Sequence, residues 1–417
     1  MEEMNLAPVR VLLLSVDYGM WDAEKSMEEL TALAESAGYE VAGTLCQKKE
    51  APDNANYLGE GRLSEARMIA QNDDISMCIF DDELTGVQLK NTEDALGVPV
   101  IDRTMLILEI FANRAVTKEG KYQTELARLQ YKLPRLIGMG DVLSRQGGGG
   151  AGGGGARRGG GESKLEYDRR YLRERIDHLK RKLSELQKQR AVTRKSRQKN
   201  GIPVVALVGY TNVGKSSLLN RLTESDILAK DMLFATLDPT ARRYELPNGL
   251  EIIMVDTVGF VSRLPHNLVE AFKSTLEEAA FSDLILKVCD AGDMDAENQL
   301  KITDQVLTSL GCEKIPQITV YNKCDTTDCL FFNRDAIPVS AKTGEGLPRL
   351  MAKVQEELSS RMAFIEVLLP YDKSALAAFA HQSGKVTVED YREDGIYLKA
   401  MVRVEDAHRF TPYNLHF

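Results

Sequence analysis

Short apolar runs alternate with amphipathic stretches in the N-terminal part of the chain. The runs have the length and composition of buried strands, and the stretch from Asp22 to Ser36 has the spacing of an amphipathic helix. The predicted strands are Val9 to Ser15, Glu40 to Leu45, Met77 to Phe80 and Val98 to Ile101. Because strands that alternate with helices usually pair in parallel, the pattern predicts a small α/β domain over residues 1–115.

The next region repeats its apolar residues at steps of three and four, which is the spacing of a coiled-coil seam. The repeating positions are Leu165, Leu172, Ile176, Leu179, Leu183 and Leu186. An upstream stripe from Leu126 to Leu136 predicts a shorter helix that begins near Lys121, and Pro134 is expected to bend or shorten its last turns. Two such helices in succession predict an antiparallel hairpin over residues 116–200.

Residues 147–161 between these helices are mostly glycine and include Arg157 and Arg158. Glycines lose much conformational entropy on ordering, so this glycine tip is expected to be disordered in the free protein. A plain flexible connector would explain the glycines equally well. The two arginines favour a second interpretation, in which the tip moulds to an RNA backbone.

Two further domains are predicted downstream. Buried strands at Pro203 to Val208, Leu250 to Val255 and Ile315 to Tyr321 predict another α/β domain over residues 201–361. Residues 362–417 have the pattern of a compact α+β module, for which an accessory or docking role is expected. Its predicted elements are a strand from Phe364 to Leu369, a helix from Ser374 to Gln382 and a hairpin of Lys385 to Arg392 with Gly395 to Val402.

The strand that ends at Val208 leads into a glycine-containing loop with the sequence Gly209-Tyr210-Thr211-Asn212-Val213-Gly214-Lys215-Ser216. Glycines at these positions let backbone N–H groups turn toward phosphate oxygens at the N-terminus of a helix, predicted over Lys215 to Leu222. Lys215 supplies positive charge to the β- and γ-phosphates, and the Ser216 hydroxyl is a ligand for Mg²⁺.

Later residues complete a phosphate and metal site. Asp256 is placed to hold Mg²⁺ through a bound water, and Gly259 to donate its amide to the γ-phosphate. Thr236 is the candidate that closes over the metal, with Thr240 as a weaker rival. Phe260 stands where many GTPases have a water-orienting Gln, and an apolar side chain cannot position water. Asn212 therefore has two interpretations: it recruits a charge-stabilising K⁺, or it is an Asn tolerated in a turn.

Base choice is predicted to come from Asn322, Lys323 and Asp325. The Asp325 carboxylate can accept hydrogen bonds from N1–H and the N2 amino group of guanine, a donor pair that adenine lacks. Five motifs occur in one order, at Gly209 to Ser216, Thr236, Asp256 to Gly259, Asn322 to Asp325 and Ser340 to Lys342. Together they predict a GTPase with GTP and GDP as ligands. Lys215, Gly259, Thr236 and Asn212 are predicted to act in hydrolysis. The candidate nucleotide-binding residues are Gly209, Tyr210, Thr211, Asn212, Val213, Gly214, Lys215, Ser216, Ser217, Asp256, Asn322, Lys323, Asp325, Ser340, Ala341 and Lys342.

Charge is segregated along the chain. The net charge is −9, yet the hairpin region from Arg145 to Lys199 is strongly basic, and Arg157, Arg158, Arg169 and Arg170 are its candidate RNA contacts. The six cysteines lack metal or disulfide spacing, no apolar stretch is long enough to span a membrane, and Glu2 and Glu3 argue against a secretion signal. A cytosolic location is expected, without stable membrane insertion, and the chain is expected to be a monomer.

Two N-terminal motifs have alternative interpretations. Gly59-Glu60-Gly61 precedes a helix and is either a tight turn or part of a second nucleotide site. Asp81-Asp82-Glu83 follows a predicted strand, and its carboxylates serve either in capping and turn formation or as a metal cluster.

Taken together, these motifs resemble the HflX family of ribosome-associated GTPases. The resemblance is carried by Tyr57 to Arg62, Val100 to Thr104, Ile107 to Ala112, Leu133 to Leu136, the glycine tip, Asp168 to Arg170, the loop from Gly209 to Ser216 and the segment from Phe234 to Thr240. The tip departs from the usual family sequence, because it is longer and has no proline before Glu162. Its contacts are therefore not carried over from the family.

The resemblance implies an N-terminal α/β domain that bears a helical hairpin, followed by a Ras-like G domain. It also implies binding to the large ribosomal subunit, splitting of stalled or stressed ribosomes into subunits, and hydrolysis that ribosomes stimulate. Phe260 fits the family, which has an apolar residue in place of the catalytic Gln. The rival interpretations are a GTPase of ribosome assembly or tRNA modification, and an RNA-binding scaffold with idle nucleotide chemistry.

Overall fold

The computed structural model describes most of the chain in two compact units. The described residues are 8–146, 159–199, 202–223, 233–234, 240–261, 263, 278–326, 335–360 and 362–415. Contacts group the described residues up to Leu183 with Leu233, Phe234 and Arg263 in the first unit, and the other described residues in the second. Among the described helices, none has the length and apolar character needed to cross a membrane.

The first unit begins with a four-stranded sheet in the order β2-β1-β3-β4, and all its pairings are parallel. Its elements are β1 (Arg10–Asp17), α1 (Ala23–Ser36), β2 (Glu40–Lys48), α2 (Glu60–Asn72), β3 (Met77–Phe80), α3 (Gly86–Leu96), β4 (Val100–Asp102) and α4 (Arg103–Arg114). A core of buried side chains that includes Leu12, Leu14 and Phe80 lies on the sheet. The predicted parallel α/β fold is confirmed, with β1 and β2 longer than the apolar runs suggest.

Two long helices follow in the hairpin, α5 (Lys118–Gln146) and α6 (Gly159–Lys199). They run antiparallel: Arg175 pairs with Glu125 through two hydrogen bonds of 2.7 and 2.9 Å, and Arg169 Nη2 donates to Leu136 O at 3.4 Å. Leu126, Ile176 and Leu179 form the buried seam between the helices. The predicted hairpin is therefore confirmed, although the residue 147–158 part of its glycine tip lies outside the described residues.

Two details of the predicted hairpin differ in the structure. Pro134 was expected to bend or shorten the last turns of α5; the helix is not shortened there and continues through Pro134 to Gln146. The helix packs against α6 on both sides of the proline, through Leu133 and through the carbonyl of Leu136, and this packing offsets the lost hydrogen bond. Helix α6 also begins at Gly159, inside the segment predicted to be disordered.

The second unit contains a six-stranded sheet in the order β10-β9-β8-β5-β7-β6, in which only β6 is antiparallel to its neighbour. Its elements are β5 (Val204–Gly209), α7 (Lys215–Thr223), β6 (Thr240–Glu245), β7 (Glu251–Asp256), β8 (Leu284–Asp290), α8 (Ala296–Ser309), β9 (Gln317–Asn322), β10 (Ile337–Pro338) and α9 (Leu347–Ser359). Because β5, β7 and β9 are parallel, the motifs that follow them emerge at one edge of the sheet.

The C-terminal module also belongs to the second unit. It comprises β11 (Met362–Leu369), α10 (Ser374–Ser383), β12 (Gly384–Arg392), β13 (Gly395–Arg403) and α11 (Val404–Ala407), with 3₁₀ turns at Tyr371–Lys373 and Thr411–Tyr413. The three strands are antiparallel in the order β11-β13-β12. Val367, Leu398 and Phe410 are fully buried in its core, which confirms the predicted α+β module.

Candidate functional site

The loop between β5 and α7 has the backbone of a phosphate cradle. Gly209, Asn212 and Gly214 have φ values of 153°, 60° and 87°, which place all three in the left-handed half of backbone space. A Cβ added to Gly209 would lie 2.1 Å from Val288 O, and one added to Gly214 would lie 2.3 Å from Asn322 Nδ2. Both positions therefore require glycine, because the neighbouring strands approach the loop too closely for a side chain.

Lys215 begins helix α7 and folds back over this loop. Its Nζ donates hydrogen bonds to Gly209 O at 3.1 Å and to Tyr210 O at 2.7 Å. Burial lowers the pKa of the Lys215 ammonium to about 8, and the nearby Asp256 carboxylate partly opposes this shift. The buried ammonium and the orphan amides of the α7 N-terminus together make this end of the loop suited to an anion.

A hydroxyl and a carboxylate meet beside the loop. Ser216 Oγ donates to Asp256 Oδ2 at 2.6 Å, and Asp256 is completely buried at the end of β7. This pair of oxygen ligands fits Mg²⁺, a hard cation that takes a few protein oxygens and completes its shell with water and phosphate. Thr236, the predicted third metal residue, lies outside the described residues, whereas its rival Thr240 is the first residue of β6.

The segment after Asp256 packs closely on the phosphate loop. Phe260 N donates to Gly209 O at 3.0 Å, and Thr211 N donates to Phe260 O at 2.7 Å. A Cβ added to Gly259 would lie 2.8 Å from Thr211 Cα and 2.9 Å from Lys215 Nζ, so Gly259 has no room for a side chain. The Phe260 side chain is 1% exposed. It is therefore turned away from solvent and has no polar group with which to orient a water.

The predicted base-recognition residues come together at the ends of β9 and β10. Asn322 Nδ2 donates to Val213 O at 2.8 Å, and Asn322 Oδ1 accepts from Ala341 N at 2.9 Å. This side chain thus joins the phosphate loop to the Ser340-Ala341-Lys342 segment. Lys323 has a φ of 64° and pairs with Asp290 at 2.8 Å.

Asp325 lies at the exposed mouth of this arrangement. Ser340 Oγ donates to Asp325 Oδ1 at 2.7 Å and accepts from Thr343 N at 3.0 Å. The Ser340 hydrogen bond lowers the pKa of the Asp325 carboxyl, which keeps it ionised as a hydrogen-bond acceptor. The remaining lone pairs of its carboxylate therefore suit a ligand edge that carries two N–H donors.

Asn212 is exposed within the phosphate loop. Its positive φ is a conformation that Asn adopts more readily than most residues, so backbone geometry alone accounts for an Asn at this position. The side chain faces solvent, where the geometry leaves it available to a cation.

The candidate RNA residues differ from one another. Arg157 and Arg158 lie outside the described residues. Arg169 is partly buried and donates across the hairpin to Leu136 O, whereas Arg170 is exposed, with its guanidinium 5.7 Å from the centre of the Tyr167 ring.

Sequence patterns did not identify the aromatic partners of Arg170. Tyr167 and Tyr171 are 59% and 58% exposed on the same helix. Tyr167 lies three residues before Arg170 and four before Tyr171, so its side chain neighbours both of them on the helical surface.

The two N-terminal motifs have structural roles. Gly59 caps α2 and donates its N–H to Gln47 Oε1 at 2.8 Å, which supports the tight-turn interpretation. Asp81 and Asp82 contact arginines, and Glu83 Oε1 accepts a hydrogen bond from Thr104. Within the described residues, no group of three or more histidine, cysteine or acidic side chains is arranged to hold a metal ion.

Sequence patterns also gave no sign of Arg263, which lies between segments outside the described residues. Its guanidinium contacts Asp81 and Asp82 in the first unit. No local motif marks it, because its partners are about 180 residues away in the sequence.

Four family models match the chain in order. Their descriptions are GTP-binding GTPase N-terminal (residues 24–112), GTP-binding GTPase Middle Region (114–197), 50S ribosome-binding GTPase (204–323) and HflX C-terminal domain (331–410).

Curated relatives match over nearly the whole chain. A GTPase HflX from Caldanaerobacter subterraneus subsp. tengcongensis is 49% identical, and the alignment covers 99% of this chain and 95% of the relative. The GTPase HflX of Escherichia coli is 39% identical, with 89% and 88% covered. Among solved structures, a GTP-binding protein from Sulfolobus solfataricus in complex with GDP is 27% identical, covers 84% of this chain and 99% of its own, and has a TM-score of 0.46.

Proposed function

Because the chain belongs to the HflX family of GTPases, and is thus an enzyme that hydrolyses GTP, we propose that it is a nucleotide-controlled ribosome-binding factor. It binds the large ribosomal subunit and its rRNA, and GTP binding and hydrolysis drive the splitting or rescue of stalled or stressed ribosomes. Ribosomes stimulate the hydrolysis. The description of the G-domain model as a 50S ribosome-binding GTPase supports this choice of partner.

The observation that carries the proposal is the basic surface of the hairpin. Helix α6 exposes a row of cations that are not used to hold the two helices together, in contrast to Arg175, which pairs with Glu125. Exposed cations bind a phosphate backbone by releasing its condensed counterions. The exposed basic residues are Arg170, Arg173, Lys180, Arg181 and Lys188.

Tyr167 and Tyr171 add a second kind of contact to the same helix. Both rings are more than half exposed, and the Tyr167 ring lies beside Arg170. Exposed aromatic rings beside an arginine can stack on the unpaired bases of RNA loops, which single-stranded rRNA segments offer. Arg170 and the glycine-tip residues Arg157 and Arg158 are the proposed rRNA contacts, while Arg169 positions the hairpin through Leu136.

The nucleotide pocket performs the chemistry through a few side chains. Lys215 leaves its carbonyl partners to bind the β- and γ-phosphates, and the loop amides hold the remaining phosphate oxygens. Ser216 and Asp256, with Thr236, would hold Mg²⁺, which supplies charge neutralisation to the phosphates when bound. Asp325 and Asn322 select guanine, and Ser340 fixes the orientation of Asp325.

Hydrolysis needs a group other than Phe260 to favour the transition state. We assign this function to the phosphate loop, in which Asn212 would hold a K⁺ ion that supplies positive charge when bound, and Lys215 stabilises the developing charge. The exposed side chain and left-handed backbone of Asn212 support the assignment. The Gly259 amide binds the γ-phosphate. Loss of the γ-phosphate on hydrolysis therefore changes the conformation of the segment after Asp256.

We propose a separate role for each of four segments of the chain. Residues 1–115 form the α/β platform, residues 116–200 the rRNA-binding hairpin, residues 201–361 the G domain and residues 362–417 an accessory module. The protein acts in the cytoplasm as a monomer.

Ribosome splitting in three nucleotide states tests the proposal. Purified protein is mixed with intact ribosomes and Mg²⁺ plus GTP, a nonhydrolysable GTP analogue or GDP, and free subunits are quantified by sedimentation. Splitting is expected with GTP and with the analogue and is expected to be weak with GDP, because only the triphosphates contact Gly259. Equal splitting with GDP would contradict nucleotide control.

A charge-reversal pair supplies the matched control. Arg170→Glu with Arg173→Glu is expected to weaken ribosome binding, whereas Lys301→Glu with Lys314→Glu, an exposed pair in the G domain, is expected to leave it near wild type. Binding only to subunit precursors or to tRNA would instead favour the rival function in ribosome assembly or tRNA modification.

A further inference from the structure

Arg263 follows the γ-phosphate sensor Gly259 by four positions, yet its contacts place it in the first unit. Arg263 Nη1 donates to Asp81 Oδ2 and to Ser26 Oγ, both at 2.7 Å. Its Nη2 donates to Asp81 O at 3.1 Å and to the Asp82 carboxylate. The guanidinium also lies 3.8 Å from the centre of the Trp21 ring. We call Trp21, Ser26, Asp81 and Asp82 the arginine bracket.

The bracket is preformed by other contacts. Ser26 Oγ donates to Asp81 Oδ2 at 2.6 Å, and the other oxygen of Asp81 accepts from Arg103 at 2.8 Å. The Asp81 side chain is 2% exposed and that of Arg263 22%. The guanidinium donates its paired N–H groups to the two carboxylates and stacks its planar face on the indole ring. A lysine ammonium, which is not planar, cannot make this combination of contacts.

A second anchor precedes Thr236, the candidate metal residue. Phe234, two residues before Thr236, is 2% exposed and packs edge-on against Phe111, with the ring centres 4.6 Å apart. The carbonyl of Leu233 accepts a hydrogen bond from Ser36 at 2.7 Å. Contacts place Leu233 and Phe234, like Arg263, in the first unit. Gly259, the proposed γ-phosphate donor, and Thr236, the proposed metal ligand, therefore each have a neighbour in the chain that is anchored in the first unit.

Within the second unit, the segment before Arg263 lies against the phosphate loop. Phe260 exchanges backbone hydrogen bonds with Gly209 and Thr211, and Gly259 lies against the tip of Lys215. A γ-phosphate that accepts from both the Gly259 amide and Lys215 needs space between these two groups. The triphosphate therefore competes with the pairing of Phe260, whereas a diphosphate does not reach it.

The backbone at Arg263 carries strain. Its φ of 55° is a left-handed value that non-glycine residues rarely adopt without compensating contacts. The four hydrogen bonds of the guanidinium supply such contacts.

We propose that Arg263 is the positioning residue that reports the γ-phosphate to the first unit. The proposal rests on the assignment of Gly259 as a γ-phosphate donor. Engagement of Arg263 in the bracket and pairing of Phe260 with the loop belong to one state, which favours GDP. Binding of the triphosphate separates Gly259 from the loop and draws Arg263 out of the bracket. By linkage, the bracket lowers the affinity for triphosphate relative to diphosphate.

Trp21 provides the readout, because it is the single tryptophan of the chain. Its emission is recorded while the full-length protein is titrated with Mg²⁺ and GDP or a nonhydrolysable GTP analogue. The analogue is expected to change the Trp21 emission and GDP to leave it near that of the free protein. Identical emission with the two nucleotides at saturation would overturn the proposal, and this measurement needs no variant.

Arg263→Gln tests the coupling itself. This variant is expected to raise the affinity for the analogue relative to GDP at least about five-fold, the lower end of ordinary coupling between sites. Arg263→Lys, which keeps the charge without the fork, is expected to fall between Gln and wild type. Arg409→Gln is the matched control, since Arg409 also lies over an aromatic ring, that of Phe379 at 4.5 Å, in the C-terminal module.

An affinity ratio for Arg263→Gln within two-fold of wild type would overturn the coupling. Circular dichroism and the GDP affinity of the variant verify that it is folded. No ribosome enters these measurements, so their failure is separate from a failure of ribosome binding or splitting.

Discussion

Two parallel sheets in this molecule carry polar side chains at their carboxyl edges, and the two edges have opposite chemistry. In the G domain, β5, β7 and β9 end at a glycine loop, a buried Asp256 and Asn322, with Lys215 over the loop. In the N-terminal domain, β3 and β4 lead to Asp81 and Asp102. The first edge is built for phosphate, whereas the second is built around arginines of the protein itself.

The N-terminal edge is not completely packed with side chains. A cavity of about 670 Å³ adjoins it, lined among others by Tyr18, Asp82, Glu83 and Arg103. However, its acidic residues repel an anion, its arginines are engaged with carboxylates, and it lacks a glycine cradle with a lysine. The fold places a binding edge at the ends of the strands, and the side chains decide what binds there.

Loss of Lys215 should show most clearly that the edge of the G domain, and not the N-terminal edge, binds phosphate. Lys215→Met is expected to lower the rate of GTP hydrolysis about 10²- to 10³-fold, because the γ-phosphate loses its charged donor. Phosphate release under saturating GTP measures this effect. Lys301→Met, at an exposed position of α8, is the control, and a loss below ten-fold would contradict the assigned role of Lys215.

Asp325→Asn tests the same edge at the base. The variant is expected to bind GTP about 10²-fold more weakly, because a carboxylate that accepts two N–H donors is replaced by an amide. It should gain affinity for xanthosine triphosphate, whose base offers a carbonyl where guanine has its amino group. Competition binding measures both, with Asp372→Asn as an exposed control.

Asp102→Asn tests the N-terminal edge. Asp102 accepts from Met105 N at 3.0 Å, Leu84 N at 3.1 Å and Arg135 Nη2 at 3.2 Å, and it is 1% exposed. The substitution is expected to lower the free energy of unfolding of the first unit by about 3 kcal/mol, since it leaves Arg135 without its buried counter-charge.

Urea denaturation followed by Trp21 emission measures this loss, and exposed Asp94→Asn is the control. The affinity of the folded variant for GDP should be unchanged. A large loss of GDP affinity would show that Asp102 also supports the nucleotide site and not only the N-terminal edge.

The smallest effect concerns protons at Lys215. Burial lowers the pKa of this ammonium to about 8, and bound phosphates are expected to raise it. Above pH 8 the free protein has lost part of this proton, so GDP binding at pH 8.5 should take up a fraction of a proton. At pH 6.5 the ammonium is already charged and contributes no uptake. Calorimetry in buffers of different ionisation enthalpy measures the difference.

The sequence predicts an edge well when the residues that form it are close together along the chain, and poorly when they are far apart. The phosphate loop is a local motif, so Gly209 to Ser216 could be recognised together with the strand before and the helix after it. Periodicity likewise predicted the hairpin and the C-terminal module. These features are encoded by neighbours in sequence, where spacing and residue type suffice.

The remaining features depend on distant partners. Arg263 contacts Asp81 from 182 residues away in the sequence, and no local pattern distinguishes it from an ordinary surface arginine. Arg169 was predicted from composition as an RNA contact, and its hydrogen bond to Leu136 of the opposing helix was not predicted. Pro134 should break an isolated helix, yet packing along α6 outweighs its cost. Each difference is a tertiary contact that overrides a local preference.

The pairing of α5 with α6 fixes how the reach of the hairpin can vary among related proteins. Helix α6 has 41 residues and is therefore about 60 Å long. If one heptad were inserted in α6 alone, between Arg169 and Arg175, Arg175 could still pair with Glu125. Arg169 would then lie beyond the hydrogen-bonding reach of Leu136. Viable length variants must therefore lengthen both helices together, in whole turns, whereas the connecting loop can change its size without any such rule.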